Sequence, residues 1–404
     1  MALLVSFAAL FLSVVFVQLG AGALGPLDVL SGAAEGFSTR QIGLLGSAHF
    51  VGFFVGCWWA PRITGRAGHS RAFAAFAAAG AIGALAHPMW IDPYAWAGMR
   101  VLSGFAVAGC YTVIESWLQG KVDNDTRGRV VGGYRVVDLL ASLGAQAMIA
   151  VLPPAAYASY NLVAMLCCLC LVPLAVTRAT PPPSPTAPRL RPLAAMRLSP
   201  LGAAGVFAAG VTMPAFRMAG PVYGLEVGLD AAGLALFLAA AVAGGALAQM
   251  PAGWLADRYD RRHVLIGLSL AAVGACLGLA AGGAASVEAA MIGSFLFGFI
   301  AFPVFSVSSA HANDFASEGG AVELNAALMF IYGMGAILSP LIATELIQRY
   351  GPGAMFAFIA AAHAALAGYG LWRMTRRGAP AERKPYRYLP RTSFVLSRLL
   401  GRRR

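Results

Sequence analysis

With 404 residues, 59% of them hydrophobic and only 11% charged, the chain has too little polar surface to clothe soluble globular domains; its mean hydropathy is +0.71. The formal net charge of +12 would suggest nucleic acid in a soluble protein. Here the basic residues sit between and after long apolar runs, so the excess charge reads as membrane topology. The class is an all-α polytopic membrane protein.

A helical span needs about 20 apolar residues, and twelve such runs follow one another, at approximately 2–25, 42–60, 72–90, 95–119, 130–152, 157–177, 200–222, 231–252, 264–283, 287–310, 322–346 and 353–373. The first, MALLVSFAALFLSVVFVQLG, lacks the basic start and cleavage site of a signal peptide and reads as a retained span. Between the sixth and seventh lies TRATPPPSPTAPRLRPLAAMRLSP, whose prolines suit an extended linker. The expected organisation is a six-helix bundle over 1–177, a Pro-rich cytoplasmic linker over 178–199, a second six-helix bundle over 200–373 and a basic cytoplasmic tail over 374–404. All six cysteines lie inside apolar runs, where they read as small hydrophobic fillers; no metal or redox cofactor is expected.

Short cytoplasmic loops hold the Lys and Arg excess. Arg62, Arg66 and Arg71 follow the second span, Lys121, Arg127 and Arg129 the fourth, and Arg258, Arg261 and Arg262 the eighth, while the linker and tail are basic throughout. Only Arg40, Arg100, Arg217 and Arg349 fall towards the other side. Both termini are therefore expected in the cytoplasm. The loop AHANDFASEGGAVELN after the tenth span is the exception, acidic through Asp314, Glu318 and Glu323.

The densest charge cluster is GWLADRYDRR, Gly253 to Arg262, between the eighth and ninth spans. A worn copy stands 192 residues earlier: Gly52 falls on Gly244, Gly56 on Ala248 and Arg66 on Arg258, with Gly65 in place of Asp257. Small residues four apart let helices approach closely, and matching devices in matching places suggest two related halves, a habit of transporters.

Ionisable groups inside spans are costly and each is a functional candidate. Arg100 lies near the outer end of span four, with Glu115 fifteen residues on, about 22 Å along the helix. Tyr111 and Glu115 share one face. Arg135 and Asp138 occupy the first turns of span five, and Glu115, Arg135 and Asp138 are expected to meet between spans four and five, either as an ion-pair cluster pinning two helices or as a proton- or substrate-coupling site. Arg217 could meet an anionic solute group or snorkel to the interface. Gln18, His49, Gln146, Gln249 and His363 suit interhelical hydrogen bonds or solute contacts. His311, Asn313 and Asp314 resemble a cytoplasmic cap or gate. No HExxH, GxSxG, Walker P-loop or dinucleotide fingerprint occurs, so the expectation is a non-enzyme whose uphill work would draw on an ion gradient.

These residues carry a family resemblance. Gly253–Arg262 resembles the loop signature G-x-x-x-D-R-x-G-R-R of the major facilitator superfamily (MFS), with Asp260 replacing its second glycine, and RVLSG at Arg100–Gly104 resembles the fourth-span motif R-x-x-x-G. A closer likeness is to the bacterial YcaD-like branch, through Ala60–Phe73, Ile114–Leu118, Gln249–Arg262, Phe302–Asp314 and Tyr332–Pro340. The resemblance implies the MFS fold, twelve transmembrane helices in two pseudo-symmetric halves, with a cavity between them and alternating access. It also implies a charged latch, in which Arg62, Arg66 and Arg71 face Asp314, Glu318 and Glu323 while Asp257 faces the start of span five. The function expected is secondary active transport of a small solute in a bacterial inner membrane, coupled to H+, by a protein surrounded by lipid and needing neither nucleic acid nor more than a monomer. The competing class is a non-transporting sensor on the same scaffold; within transport, efflux antiport and uptake symport both remain open.

Overall fold

A computed structural model describes residues 2–121, 127–176, 190–282, 286–317, 320–376, 378 and 386. In hydrocarbon every backbone N–H and C=O must find its partner inside the protein, and a helix does this within one segment. Among the described residues all regular structure is helical. The elements are α1 (Ala2–Ala34), α2 (Thr39–Ala67), α3 (His69–Ala86), α4 (Pro93–Lys121), α5 (Arg127–Ile149), α6 (Tyr157–Leu169), α7 (Leu171–Val176), α8 (Pro192–Leu198), α9 (Pro200–Glu226), α10 (Ala231–Leu247), α11 (Gln249–Arg258), α12 (Arg261–Gly282), α13 (Val287–Ala301), α14 (Pro303–Asp314), α15 (Ala321–Tyr350) and α16 (Gly353–Arg376).

Three expected spans are each built from two helices in line: α6 with α7, α10 with α11 and α13 with α14. Proline explains the breaks. Pro173 and Pro251 each stand four residues after the last residue of the preceding helix, Leu169 and Leu247, whose carbonyl then lacks its usual N–H donor, and Pro303 opens α14. Eleven segments among the described residues are long and apolar enough to cross a membrane. The remaining expected span, the 23-residue α5, is diluted by Arg129, Arg135 and Asp138.

Several ends differ from the sequence expectation. α1 continues past residue 25 to Ala34, carrying Asp28 into the bundle. Gly253–Arg262 is mostly helix rather than loop: α11 runs to Arg258, and only Tyr259 and Asp260 separate it from α12. Long Arg side chains reach past a helix end to polar surroundings while the backbone stays helical. Within the expected linker, Pro192–Leu198 forms α8, a helix too short to span; residues 177–189 lie outside the described set.

The chain divides into two compact units, Met1–Pro188 and Arg189–Arg391. Unit 1 packs Phe73, Phe76, Trp117 and Tyr134 in its core. Unit 2 packs an aromatic group in which Phe216, Phe237, Phe297 and Phe356 lie within 6.4 Å of one another, pair by pair along the group. The 192-residue repeat recurs in three dimensions. Ser38 caps α2 by accepting from the Gln41 amide, and Asp230, 192 residues later, caps α10 by accepting from the Gly233 amide. A Cβ on Gly52 would overlap the Val101 carbonyl of α4, and one on Gly244 would overlap the Phe295 carbonyl of α13. Lipid tails are as apolar as the side chains, so such close packing supplies association that the hydrophobic effect cannot.

Gly52→Val and Gly244→Val should therefore each lower the melting temperature of detergent-purified protein, at a cost of about 1–3 kcal/mol for overpacking. Gly278→Ala, with nothing within 4 Å of the added carbon, should leave it unchanged or slightly raised. Equal effects at all three positions would show that these approaches do not hold the helices.

Candidate functional site

The candidate site of unit 1 lies at mid-span. Gln18 is halfway along α1, Tyr111 and Glu115 are one turn apart on α4, and Tyr134, Arg135 and Asp138 belong to α5. Gly22, one turn beyond Gln18, lets α1 close on α5: a Cβ there would stand 2.8 Å from the Ala145 Cβ. The Tyr111 hydroxyl is 2.6 Å from the Gln18 side-chain oxygen and 2.8 Å from Asp138 Oδ1. One hydroxyl proton serves one acceptor, so all three groups are satisfied if the Gln18 amide is turned to donate its N–H to Tyr111, which then donates to Asp138. Tyr134 donates to Glu115 Oε1 at 3.0 Å. Arg135 lies over the Tyr134 ring at 4.6 Å and 3.9 Å from Asp138 Oδ2.

Glu115, Arg135 and Asp138 do come together between α4 and α5, with two tyrosines interposed, of which the sequence pointed only to Tyr111. Glu115 is fully buried, whereas the Asp138 and Arg135 side chains keep 22% and 16% of their exposure. Asp138 is therefore a span carboxylate that its own unit leaves partly uncovered. Gln146, about two turns further along α5, is buried with its amide oxygen lacking any hydrogen-bond partner.

Arg100, separated in sequence from that cluster, is separated from it in space as well. It is 1% exposed and lies 3.4 Å from Asp28 Oδ2. Tyr160 donates to Asp28 Oδ1 at 3.1 Å, and His87 Nε2 stands 3.5 Å from Oδ2. His87 Nδ1 is 2.7 Å from the Gly83 carbonyl, which can only accept; Nδ1 therefore carries hydrogen, and a neutral ring turns a lone pair towards the carboxylate. A proton on either atom converts that contact into a hydrogen bond. Asp28 escapes the sequence analysis because hydropathy ends span one at residue 25, and His87 and Tyr160, inside spans three and six, gain their place only through it; the apolar sequence continuing through Leu27, Val29 and Leu30 is the signal that could have found Asp28.

In unit 2 the charges converge at the joined ends of α11, α12 and α14. Arg261, 1% exposed, donates to Asp314 Oδ1 at 2.6 Å, to the Ala310 carbonyl at 3.1 Å, to the Ala256 carbonyl at 3.1 Å and to Asp257 Oδ1 at 3.2 Å. Asp314 is thus buried and held by its own unit. Of the arginines that the implied latch sets against it, Arg62 and Arg71 donate to the carbonyls of Trp58 and Ala67, at 2.6 and 2.7 Å, and Arg66 is exposed. Glu318 lies outside the described residues. Asp257, half exposed, also accepts from the Tyr386 amide at 2.6 Å, and the Tyr386 ring rests against Gly253 while its hydroxyl reaches Gln249 at 3.2 Å. Asn313 donates to Asn325 at 2.8 Å, tying α14 to α15.

Asp260 chelates Arg262 through both oxygens at 2.7–3.2 Å. Burial pushes its carboxyl up, but the Arg262 hydrogen bonds and charge outweigh this and hold it below the usual carboxylate range. Arg258 is exposed over Trp254 at 5.5 Å. His311 is buried and edge-on to Phe315 at 5.3 Å. Arg217 is exposed on α9, and His363 meets Thr212 at 3.0 Å.

The sequence profile described as Major Facilitator Superfamily matches residues 201–404. An uncharacterized MFS-type transporter of Enterobacter sp. strain 638 is 27% identical over 81% of this chain and 85% of its own length. The MFS-type transporter YcaD of Salmonella paratyphi A is 25% identical over 87% and 91%. Among solved structures, a mutant form of the nucleoside transporter NupG is similar with a TM-score of 0.78 at 13% identity, covering 90% of this chain and 98% of that one. A D-xylose-proton symporter is similar with a TM-score of 0.69 at 13% identity, covering 91% and 96%.

Removing Asp314 would leave a buried guanidinium without its main counter-charge, at a cost of about 3–5 kcal/mol, whereas Asp257 is half exposed and worth about 1 kcal/mol or less. Asp314→Asn should therefore lower the melting temperature far more than Asp257→Asn. The reverse ranking would show that the buried pair does not hold this end of unit 2.

Proposed function

The chain belongs to the Major Facilitator Superfamily, and from that footing we propose that this multi-pass membrane protein is a secondary active transporter of a small solute, working by alternating access and coupled to proton movement. The observation that carries the coupling is Asp138: a carboxylate in mid-span, 22% exposed, joined through Tyr111 to Gln18 and facing Arg135. A charge at that depth is costly, and of the two carboxylates in the cluster Asp138 is the one its neighbours leave partly uncovered. Glu115, sealed from solvent and bonded to Tyr134, orients the same helix pair. The proton symporter among the solved structures of this fold supports the choice of ion. Gln146, with its unpaired amide oxygen, is the candidate solute contact; the exposed Arg217 would suit an anionic group.

A second proton site is favoured by one observation, the 3.5 Å approach of His87 Nε2 to Asp28 Oδ2. A thermal-shift screen of purified protein against a solute library at two pH values separates the two. A ligand that binds only the folded state raises the melting temperature. The expected hit has a pH-dependent shift in the native protein that becomes pH-independent in Asp138→Asn. Dependence lost in Asp28→Asn but kept in Asp138→Asn would transfer the proton to the Arg100 cluster, and dependence kept in both would sink proton coupling at either place.

The orientation that we propose has both termini in the cytoplasm of a bacterial inner membrane, because the basic residues cluster at one set of helix ends. Arg62, Arg258 and Arg373 each lie over a tryptophan there, Trp58, Trp254 and Trp372, as expected of interfacial anchors. His263 is exposed beside the same arginines. A His263→Cys variant should gain reaction with an impermeant maleimide over the native protein in inverted vesicles, and gain none in right-side-out ones. The opposite pattern would reverse the topology.

A further inference from the structure

Beyond the end of α16 at Arg376, Tyr386 returns to unit 2 and lies along α11. Gln249, Gly253 and Asp257 stand four residues apart, on successive turns of one face of that helix. Tyr386 meets all three. Its hydroxyl donates to Gln249 Oε1 at 3.2 Å, its ring covers Gly253, and its backbone amide donates to Asp257 Oδ1 at 2.6 Å. We propose that this stripe is a binding site for the chain's own C-terminal segment, and that Tyr386 seated there is a releasable strap holding α11 in line with α10.

Two observations carry it independently. The first is the bareness of the seat. Gly253 is buried, and the three atoms nearest to a Cβ added there, at 2.8, 2.9 and 3.7 Å, all belong to the Tyr386 ring. Glycine inside a helix costs stability relative to alanine. Here the missing side chain makes room for the ring, where Gly52 and Gly244 make room for a neighbouring helix.

The second is what lies behind Gln249. Pro251 interrupts the span at the junction of α10 and α11, and Gln249 reaches back across that junction, its Nε2 donating to the Gly245 carbonyl of α10 at 3.0 Å. With its nitrogen committed to α10, the side chain turns its oxygen to the Tyr386 hydroxyl. One path therefore runs from Tyr386 through Gln249 to α10, while the Tyr386 amide grips the far end of α11 through a charge-assisted bond to Asp257. The contact is also one that can open without unfolding the unit. It consists of two hydrogen bonds and a ring seat, and Asp257 is half exposed, so water can replace the amide.

The test is hydrogen exchange of the full chain in detergent, read by mass spectrometry over 245–258 and 379–391. Tyr386→Ala should speed exchange over 249–258 about tenfold, the equivalent of one to two hydrogen bonds, and leave α12 unchanged. Tyr386→Phe, which keeps the ring and the amide, should have a smaller effect. Gly253→Ala gives the sharper readout, because alanine favours the helix by itself. In the native background its methyl displaces the ring and should speed exchange over 379–391. In the Tyr386→Ala background it should leave 379–391 unchanged and slow exchange over α11. Unchanged exchange over 249–258 in Tyr386→Ala would overturn the strap, and unchanged exchange over 379–391 in Gly253→Ala would overturn the seat. Equal acceleration throughout unit 2 in Tyr386→Ala would make Tyr386 a general packing residue and overturn both.

Discussion

A charge surrounded by apolar helices has no water to fall back on, so each one must be met by the protein itself. Among the described residues each unit contains one nearly inaccessible guanidinium, Arg100 in unit 1 and Arg261 in unit 2, and much of the surrounding structure follows from satisfying it. Arg261 draws the ends of α11, α12 and α14 together through two carboxylates and two carbonyls. Arg100 needs Asp28, which requires α1 to continue as helix beyond the expected end of its span and brings in Tyr160 from α6. Neither arrangement has apolar attraction to assist it, because lipid competes equally for apolar faces.

Close backbone approach is the complementary device. Where Gly52 and Gly244 remove a side chain, α2 meets α4 and α10 meets α13 at carbonyl contact. The same two helices begin with matched caps at Ser38 and Asp230. The repeat thus keeps the means of ending and packing a helix more faithfully than it keeps charge. Asp257 has no acidic counterpart at Gly65, and the buried ion network of Arg261 belongs to unit 2.

The mid-span cluster of unit 1 combines a sealed carboxylate with a partly uncovered one. Glu115 and Asp138 are separated by Tyr134 and Tyr111, which donate to them and so keep the two charges apart within one hydrogen-bonded assembly. That division leaves one carboxylate partly uncovered while its neighbour holds the helices in register. The closing of α1 on α5 at Gly22 supplies Gln18 to the same assembly.

Local pattern was enough to read the helical class, the run of spans, the basic side and the Glu115–Arg135–Asp138 neighbourhood, because hydropathy, charge asymmetry and helical spacing act over a few turns. Family resemblance added the fold. Partner choice was not legible. Asp314 is as far from Arg261 in sequence as many other candidates, and it is the packing of α12 on α14 that brings the two together. Asp28 lay beyond a span boundary set by hydropathy, yet α1 keeps its helix because Arg100, His87 and Tyr160 meet that carboxylate. Which segments are helices, and which ends are basic, depends on neighbours along the chain and can be read from them. Which buried charge meets which depends on packing, since burial removes water from the competition and leaves the choice to geometry.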